Sequence, residues 1–256
     1  MSPSRIVITG ASRGIGAALA RLYAGPGVSL ALLGRDTGQL DAVAAACRTQ
    51  GAEAETVVAD VRDRSAMAER LLAIDAARPV DLVVANAGVA MPPGGPPAED
   101  STAYGEIDTN LLGALNSVLP LLPGMAARRS GQVAFVSSLA AFAPLPNAAG
   151  YSATKAAILA YGLAARHRLR ASGIRVSVVC PGYVDTEMGD RYGGWQPLKM
   201  SADAAALRIR AGLAANRAVV AFPRRLALVA RLSPFTPEPI LRLSLKAFQF
   251  PVVKAT

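Results

Sequence analysis

The chain reads as an α/β fold: one doubly wound, mostly parallel sheet of seven strands with helices on both faces. Three observations predict it. Apolar runs of strand length alternate with longer helical stretches rich in alanine and arginine, the pattern of a parallel sheet covered on both sides. A glycine-rich turn directly follows the first apolar run. No internal repeat or low-complexity linker divides the 256 residues, a length that a single hydrophobic core can still organise.

In chain order the strand-like runs fall at Arg5–Thr9, Val28–Leu33, Ala54–Val58, Val80–Ala85, Gln132–Ser137 and Arg175–Val179, with a seventh at Ala218–Phe222. Helical stretches lie near Gly14–Ala24, Leu40–Gln50, Ser65–Ala76, Ala103–Arg128, Ser152–Ala171 and Ala202–Asn216. Right-handed crossovers through those helices wind the sheet in both directions. Two segments rich in chain breakers interrupt the alternation. Met91–Pro97 follows a strand whose end faces the ligand crevice, so it reads as a loop rather than a boundary. Residues 187–200, with Gly189, Gly193, Gly194 and Pro197 around Tyr192 and Trp195, read as a lid over that crevice.

Composition narrows the chemistry. Apolar residues make up 52% of the chain against 18% charged, which supplies a large core and excludes a disordered chain. A single histidine, His167, and two cysteines, Cys47 and Cys180, leave no Ser-His-Asp array away from His167, no three-histidine zinc site and no cysteine knuckle; no metal is expected. The cysteines lie far apart in apolar contexts and read as buried thiols of a reducing compartment. No run reaches the roughly 18 uninterrupted apolar residues of a membrane-spanning helix. The first residues lead straight into Ile6-Val7-Ile8 without the layout of a signal peptide, so a cytoplasmic protein is expected. Of the net charge of +9, the segment from Phe222 onward holds six basic residues and one acidic. No basic stripe with interleaved aromatics or reader motif is visible, and nucleic acid is not expected as a partner.

The glycine turn reads Thr9-Gly10-Ala11-Ser12-Arg13-Gly14-Ile15-Gly16 and opens a helix. Glycines there permit a tight turn, let the backbone approach a phosphate, and start a helix whose first amides attract an anion. The same glycines would also serve merely to end a strand. The second run ends Leu33-Gly34-Arg35, where a dinucleotide-binding fold carries a carboxylate if it reads the free 2′-hydroxyl of NAD. Arg35 instead offers a planar fork for a 2′-phosphate, and Arg13 a second cation, which points to NADP(H). Asp36 next door leaves NAD(H) as the alternative, and both arginines also read as solvated surface charges.

Ser138 closes the fifth run, Tyr151 opens the next helix and Lys155 lies four residues on, so tyrosine and lysine share one helix face. Asn110 lies upstream. A phenol with its ordinary value near 10 is a poor acid–base catalyst at neutral pH, and an adjacent ammonium is expected to lower it. His167 lies about four and a half helical turns beyond Tyr151, too far to join them.

The ordered set of glycine loop, Asp60-Val61, Asn86-Ala87-Gly88, Asn110, Ser138, Tyr151, Lys155 and Pro181-Gly182-Tyr183-Val184-Asp185-Thr186 resembles the short-chain dehydrogenase/reductase family over residues 5 to 222. The resemblance implies a Rossmann-like fold. It assigns the nucleotide to Gly10, Ser12, Arg13, Gly14, Ile15, Gly16 and Arg35. It also implies that Asp60 and Val61 hold the adenine, and that Asn86, Ala87 and Gly88 line the cofactor floor and brace the sheet. Pro181, Gly182, Val184 and Thr186 would hold the nicotinamide end, where Tyr151 and Lys155 also meet the cofactor. Asn110 would bind a water passing protons to Lys155. The family often has two asparagines before Ala-Gly; here the first position is Ala85, which bears on sheet bracing. The implied chemistry is hydride transfer between the nicotinamide and a carbinol or carbonyl carbon. Ser138 would bond the substrate oxygen, Tyr151 would move the proton, and Lys155 would hold the ribose and tune the tyrosine. A different reaction on the same fold, epimerisation or dehydration, and a catalytically idle nucleotide sensor stand as alternatives.

Pocket walls are expected from Met91, Leu139, Ala140, Tyr183 and Met188 through Trp195, mostly apolar, and so is the small-molecule substrate. The resemblance places the helices near Ala103–Arg128 and Ser152–Ala171 at a two-fold interface, implying a homodimer or homotetramer. Residues 1–222 then form one dinucleotide-binding and catalytic domain, and residues 223–256 a basic amphipathic extension. In that extension Arg242, Lys246 and Gln249 share a helical stripe beside Leu241, Leu245 and Phe248, with Thr236 as N-cap and Pro237 in the first position. A strand also fits the alternation of Leu241, Leu243 and Leu245. The extension either covers the cleft or a subunit contact, or rests on anionic lipid as a peripheral membrane contact.

Overall fold

The computed structural model describes residues 3–90, 102–190 and 195–240. Seven parallel strands form the sheet: β1 (Arg5–Thr9), β2 (Ser29–Gly34), β3 (Glu53–Val58), β4 (Leu82–Ala85), β5 (Gly131–Val136), β6 (Ile174–Pro181) and β7 (Val219–Phe222). Their order is β3-β2-β1-β4-β5-β6-β7. The order reverses between β1 and β4, and the crevice that binds ligands in such sheets lies at the carboxyl ends beside that reversal.

Alternation along the strands builds two cores. Ile6 and Ile8 of β1, Leu30 and Leu32 of β2, and Leu82 and Val84 of β4 pack on one face. There they meet helices α1 (Gly14–Tyr23), α2 (Thr37–Thr49) and α6 (Ala202–Ala214). Val7, Ala31, Leu33, Val83 and Ala85 point the other way, toward α3 (Arg64–Ala77), α4 (Ala103–Ala127) and α5 (Ala149–Leu169). With both faces covered, the strands read as continuous apolar runs.

Helix boundaries differ from the sequence expectation by a few residues, and two differences have larger causes. The stretch near Ala103–Arg128 is not regular: it passes through a π-helical turn at Ile107–Leu112 and a 3-10 turn at Leu119–Leu121, and carries Pro120 and Pro123. Long and apolar on average, though broken by polar residues, α4 has the length to cross a membrane. Here Ala114, Val118, Leu121 and Met125 bury it against the sheet. The second difference is α7 (Arg224–Leu232), a helix absent from the sequence reading, seated by Ala227 and Ala230 against Val178 and Cys180 of β6. Thr236 does not act as an N-cap; its hydroxyl donates to the Leu232 carbonyl at 3.2 Å, satisfying an acceptor in the last residue of α7. Residues 238–240 are helical, and the rest of the expected tail helix lies outside the described residues.

Candidate active site

A cleft of about 920 Å³ opens at the carboxyl ends of the strands. At its outer end, Gly10 and Gly14 adopt φ of +64° and +56°, which side chains rarely tolerate. A β-carbon on Gly16 would run into the Gly10 carbonyl and lie 2.7 Å from the Asn86 amide. α1 begins here with neither a side-chain cap nor an acidic residue in its first turn, so its free amides are left for an anion. Asn86 fastens the loop by donating to the Thr9 and Gly10 carbonyls at 3.0 and 3.1 Å, and Thr9 Oγ1 accepts from the Asn86 and Ala87 amides. Ser12, Ile15, Ala87 and Gly88 line the same wall.

The two arginines assigned to a 2′-phosphate are not equivalent. Arg35, exposed at the tip of β2, makes no ion pair among the described residues and lines the cleft. Arg13 is already engaged: it pairs with Glu187 and lies 3.8 Å from the Asp36 carboxylate. Glu187 reaches back over the loop from the turn after β6, so Arg13 would meet a phosphate with its charge already shared. Asp36 caps α2 by accepting from the Gln39 amide at 3.1 Å. Asp60 forms a two-oxygen pair with Arg62, which holds its carboxyl below the usual range with help from the Arg62 amide and the charge of Arg35. Val61 packs under Gly113, where a β-carbon would lie 2.5 Å from its methyl.

At the inner end, the Tyr151 hydroxyl bonds Ser138, whose Oγ also accepts from the Ala140 amide at 3.1 Å. Lys155 Nζ donates to the Val136 carbonyl at 3.0 Å and lies 5.4 Å from the centre of the Tyr151 ring. Burial pushes Lys155 down to about 8. It pushes Tyr151 up, against the lowering expected from the sequence: desolvation of the phenol outweighs the Ser138 hydrogen bond, and the charge of Glu106 adds to the rise. Asn110, fully buried in the π turn, accepts from the Val89 amide at 2.7 Å and donates to the Val89 carbonyl and Thr154 Oγ1. Both its amide protons are spent, so it reaches a water only through an acceptor.

Leu139, Ala140, Tyr183 and Met188 line the inner cleft, beside Pro181, Gly182, Val184 and Thr186. Trp195 does not line it and is exposed to solvent; Val184–Asp185 pairs with Met200–Ser201, tying down the ends of the segment that holds it. Met91 lies outside the described residues.

The family model for short chain dehydrogenases matches residues 4–197. This chain belongs to the short-chain dehydrogenase/reductase family. An uncharacterized oxidoreductase of Myxococcus xanthus is 36% identical over 94% of this chain and 95% of its own. Ketoacyl reductase HetN of Nostoc is 34% identical over 70% of this chain and 63% of its own. A short-chain dehydrogenase from Sphingobium yanoikuyae, solved with NADPH, superimposes with a TM-score of 0.79 and 28% identity over 98% of both chains. The chain is thus an oxidoreductase of a family that works with nicotinamide nucleotides.

Sequence reasoning missed several residues of this dehydrogenase's site. Thr154 donates to the Tyr151 carbonyl and accepts from Asn110, and Ser137 donates to the Lys155 carbonyl at 2.7 Å, so both position the pair. Glu106 is only 1% exposed and would lie 2.5 Å from a β-carbon on Gly150, the residue before Tyr151. Only chain folding reveals these. Leu226, Val229, Ala230 and Ser233 of the cleft wall follow i, i+3, i+4, i+7 spacing, a helical signal that was present in the sequence.

Proposed function

We propose that this oxidoreductase interconverts a carbonyl and an alcohol on an apolar substrate, with NADP(H) rather than NAD(H) as redox partner. One observation carries the reading: Ser138, Tyr151 and Lys155 meet in a cleft walled by Leu139, Ala140, Leu226 and Val229, with Arg35 at its outer end and in no ion pair among the described residues. The bound nicotinamide supplies or accepts the hydride.

Arg35 pairs with the 2′-phosphate, the first amides of α1 meet the pyrophosphate, and Asp60 and Val61 border the adenine. Asn86, Ala87 and Gly88 form the floor, and Pro181, Gly182, Val184 and Thr186 border the nicotinamide end. Ser138 donates a hydrogen bond to the substrate oxygen. Tyr151, kept neutral by burial, gives its proton to that oxygen in reduction and recovers it in oxidation. Lys155, titrating at about 8, is poised to exchange protons near neutrality. Asn110 anchors Thr154, and through it the turn that carries Tyr151.

The exposed Tyr104, Ile107, Leu112 and Leu119 of α4 support pairing of subunits through α4 and α5. NADPH consumption with a panel of apolar ketones tests the reading: turnover with NADPH ahead of NADH is expected. Failure of every carbonyl and alcohol tried with either cofactor would overturn it.

A further inference from the structure

The outer face of α7 carries a pattern that the chemistry of the site does not use. Around its axis, at 100° per residue, Leu228 and Leu232 form a ridge. Arg231 and Arg224 flank it on one side, Arg225 and Val229 on the other. Leu228 is 61% exposed, Val229 66%, Leu232 55%, and Phe235 just beyond the helix 83%. The inner face, Leu226, Ala227 and Ala230, packs toward the cleft and the core. Val229 belongs to both faces: it lines the cleft and stands at its rim.

We infer that this ridge docks the cleft mouth onto an anionic lipid surface, so that a lipid-dissolved substrate passes from the bilayer into the site; the substrate half of the inference rests on the proposed function. The arrangement is that of an interfacial helix, with apolar side chains entering the acyl boundary and Arg224 and Arg225 reaching phosphate headgroups, while Arg231 stacks on the Phe142 ring 5.2 Å from its centre. Charge selects this occupant over a second copy of the chain, because a two-fold contact through the ridge would bring like arginines together. Residues 222–240 hold three arginines against one carboxylate, Glu238, and the sequence beyond adds Arg242, Lys246 and Lys254 with no acid. One short helix is a weak anchor, but apolar ridge and basic flank together provide the two signals that stable docking takes.

The test is cosedimentation of the full-length protein with phosphatidylcholine vesicles, with and without phosphatidylglycerol, at low salt and at about 1 M salt. Pelleting with the anionic vesicles, reversed by salt, is expected. Surface arginines contribute about fivefold each, so Arg224→Gln/Arg225→Gln should weaken partition about 25-fold, and Leu228→Ser/Leu232→Ser should weaken it also. Wild-type protein left in the supernatant at low salt overturns the inference, as does pelleting that neither double variant changes. A halved mass of Leu228→Ser/Leu232→Ser in light scattering overturns it too, by making the ridge a subunit contact. NADPH turnover with water-soluble ketones, measured in parallel, reports separately on the proposed function: protein that pellets but turns over nothing refutes that reading and leaves the docking intact.

Discussion

Replacing Arg35 with serine isolates the basis of cofactor choice. The guanidinium is exposed and has no ion-pair partner among the described residues, so its loss removes little from the folded chain. Asp60 loses a minor electrostatic support and keeps Arg62. Stability should therefore change by less than about 0.5 kcal/mol, as for surface substitutions generally. Binding is different, because a charge-assisted contact to a phosphate contributes about 1.5–3 kcal/mol, or roughly 10- to 150-fold in affinity. Solvent exposure places the expectation nearer the lower end, with a penalty that shrinks at high salt. NADH has no 2′-phosphate and should bind both proteins alike. Arg13→Ser should cost less than Arg35→Ser, since Arg13 must first be shared with Glu187 and Asp36. Fluorescence titration of wild type and variant with both cofactors reads each quantity. Equal weakening of NADPH and NADH, or tighter NADH binding by the wild type, would refute the reasoning.

Three further outcomes follow from the site. The Glu106 charge raises both Tyr151 and Lys155, so in Glu106→Gln the pH limb for alcohol oxidation, which needs Tyr151 deprotonated, should move to lower pH; reduced rates on an unmoved profile would make Glu106 merely structural. Lys155 titrates at about 8 when folded, against 10.5 ordinarily. Between those values the unfolded chain binds the extra proton, so wild type should gain stability over Lys155→Met as pH rises through that window, by at most about 3 kcal/mol. Denaturant melts of both proteins at several pH values check this, and a gap independent of pH would contradict the buried, proton-shedding lysine. Leu112→Arg, on the exposed face of α4, should reduce the assembly to single chains by light scattering; an unchanged mass moves the interface elsewhere.

Much of this was legible in the residues because its signals are local. β1 reads from Ile6-Val7-Ile8 between polar residues, the glycine loop from its own backbone demands, and Tyr151 with Lys155 from one turn of helix. What escaped depends on distance in the chain. The pairing of Arg13 with Glu187 joins residues far apart in sequence, and no local pattern of charge reveals it. The rise of Tyr151 is set by burial, which residue type alone does not report. The π turn around Asn110 shows no period in the sequence, since its widening is stabilised by the partners of one side chain, Val89 and Thr154. α7 is the exception: its three cleft-lining residues and Ser233 just after it are periodic in the sequence, but the short helix falls within a basic tail whose charge dominates its reading.

In the proposed mechanism Tyr151 moves the proton while other groups hold the cofactor. Tyr151→Phe keeps the ring and removes the hydroxyl that bonds Ser138. NADPH turnover with an apolar ketone and NADPH affinity, measured on the same preparation, test it most directly. A rate lower by a factor on the order of 10²–10⁴ with NADPH affinity unchanged is expected. Turnover retained in the variant would contradict it and place the proton donor elsewhere.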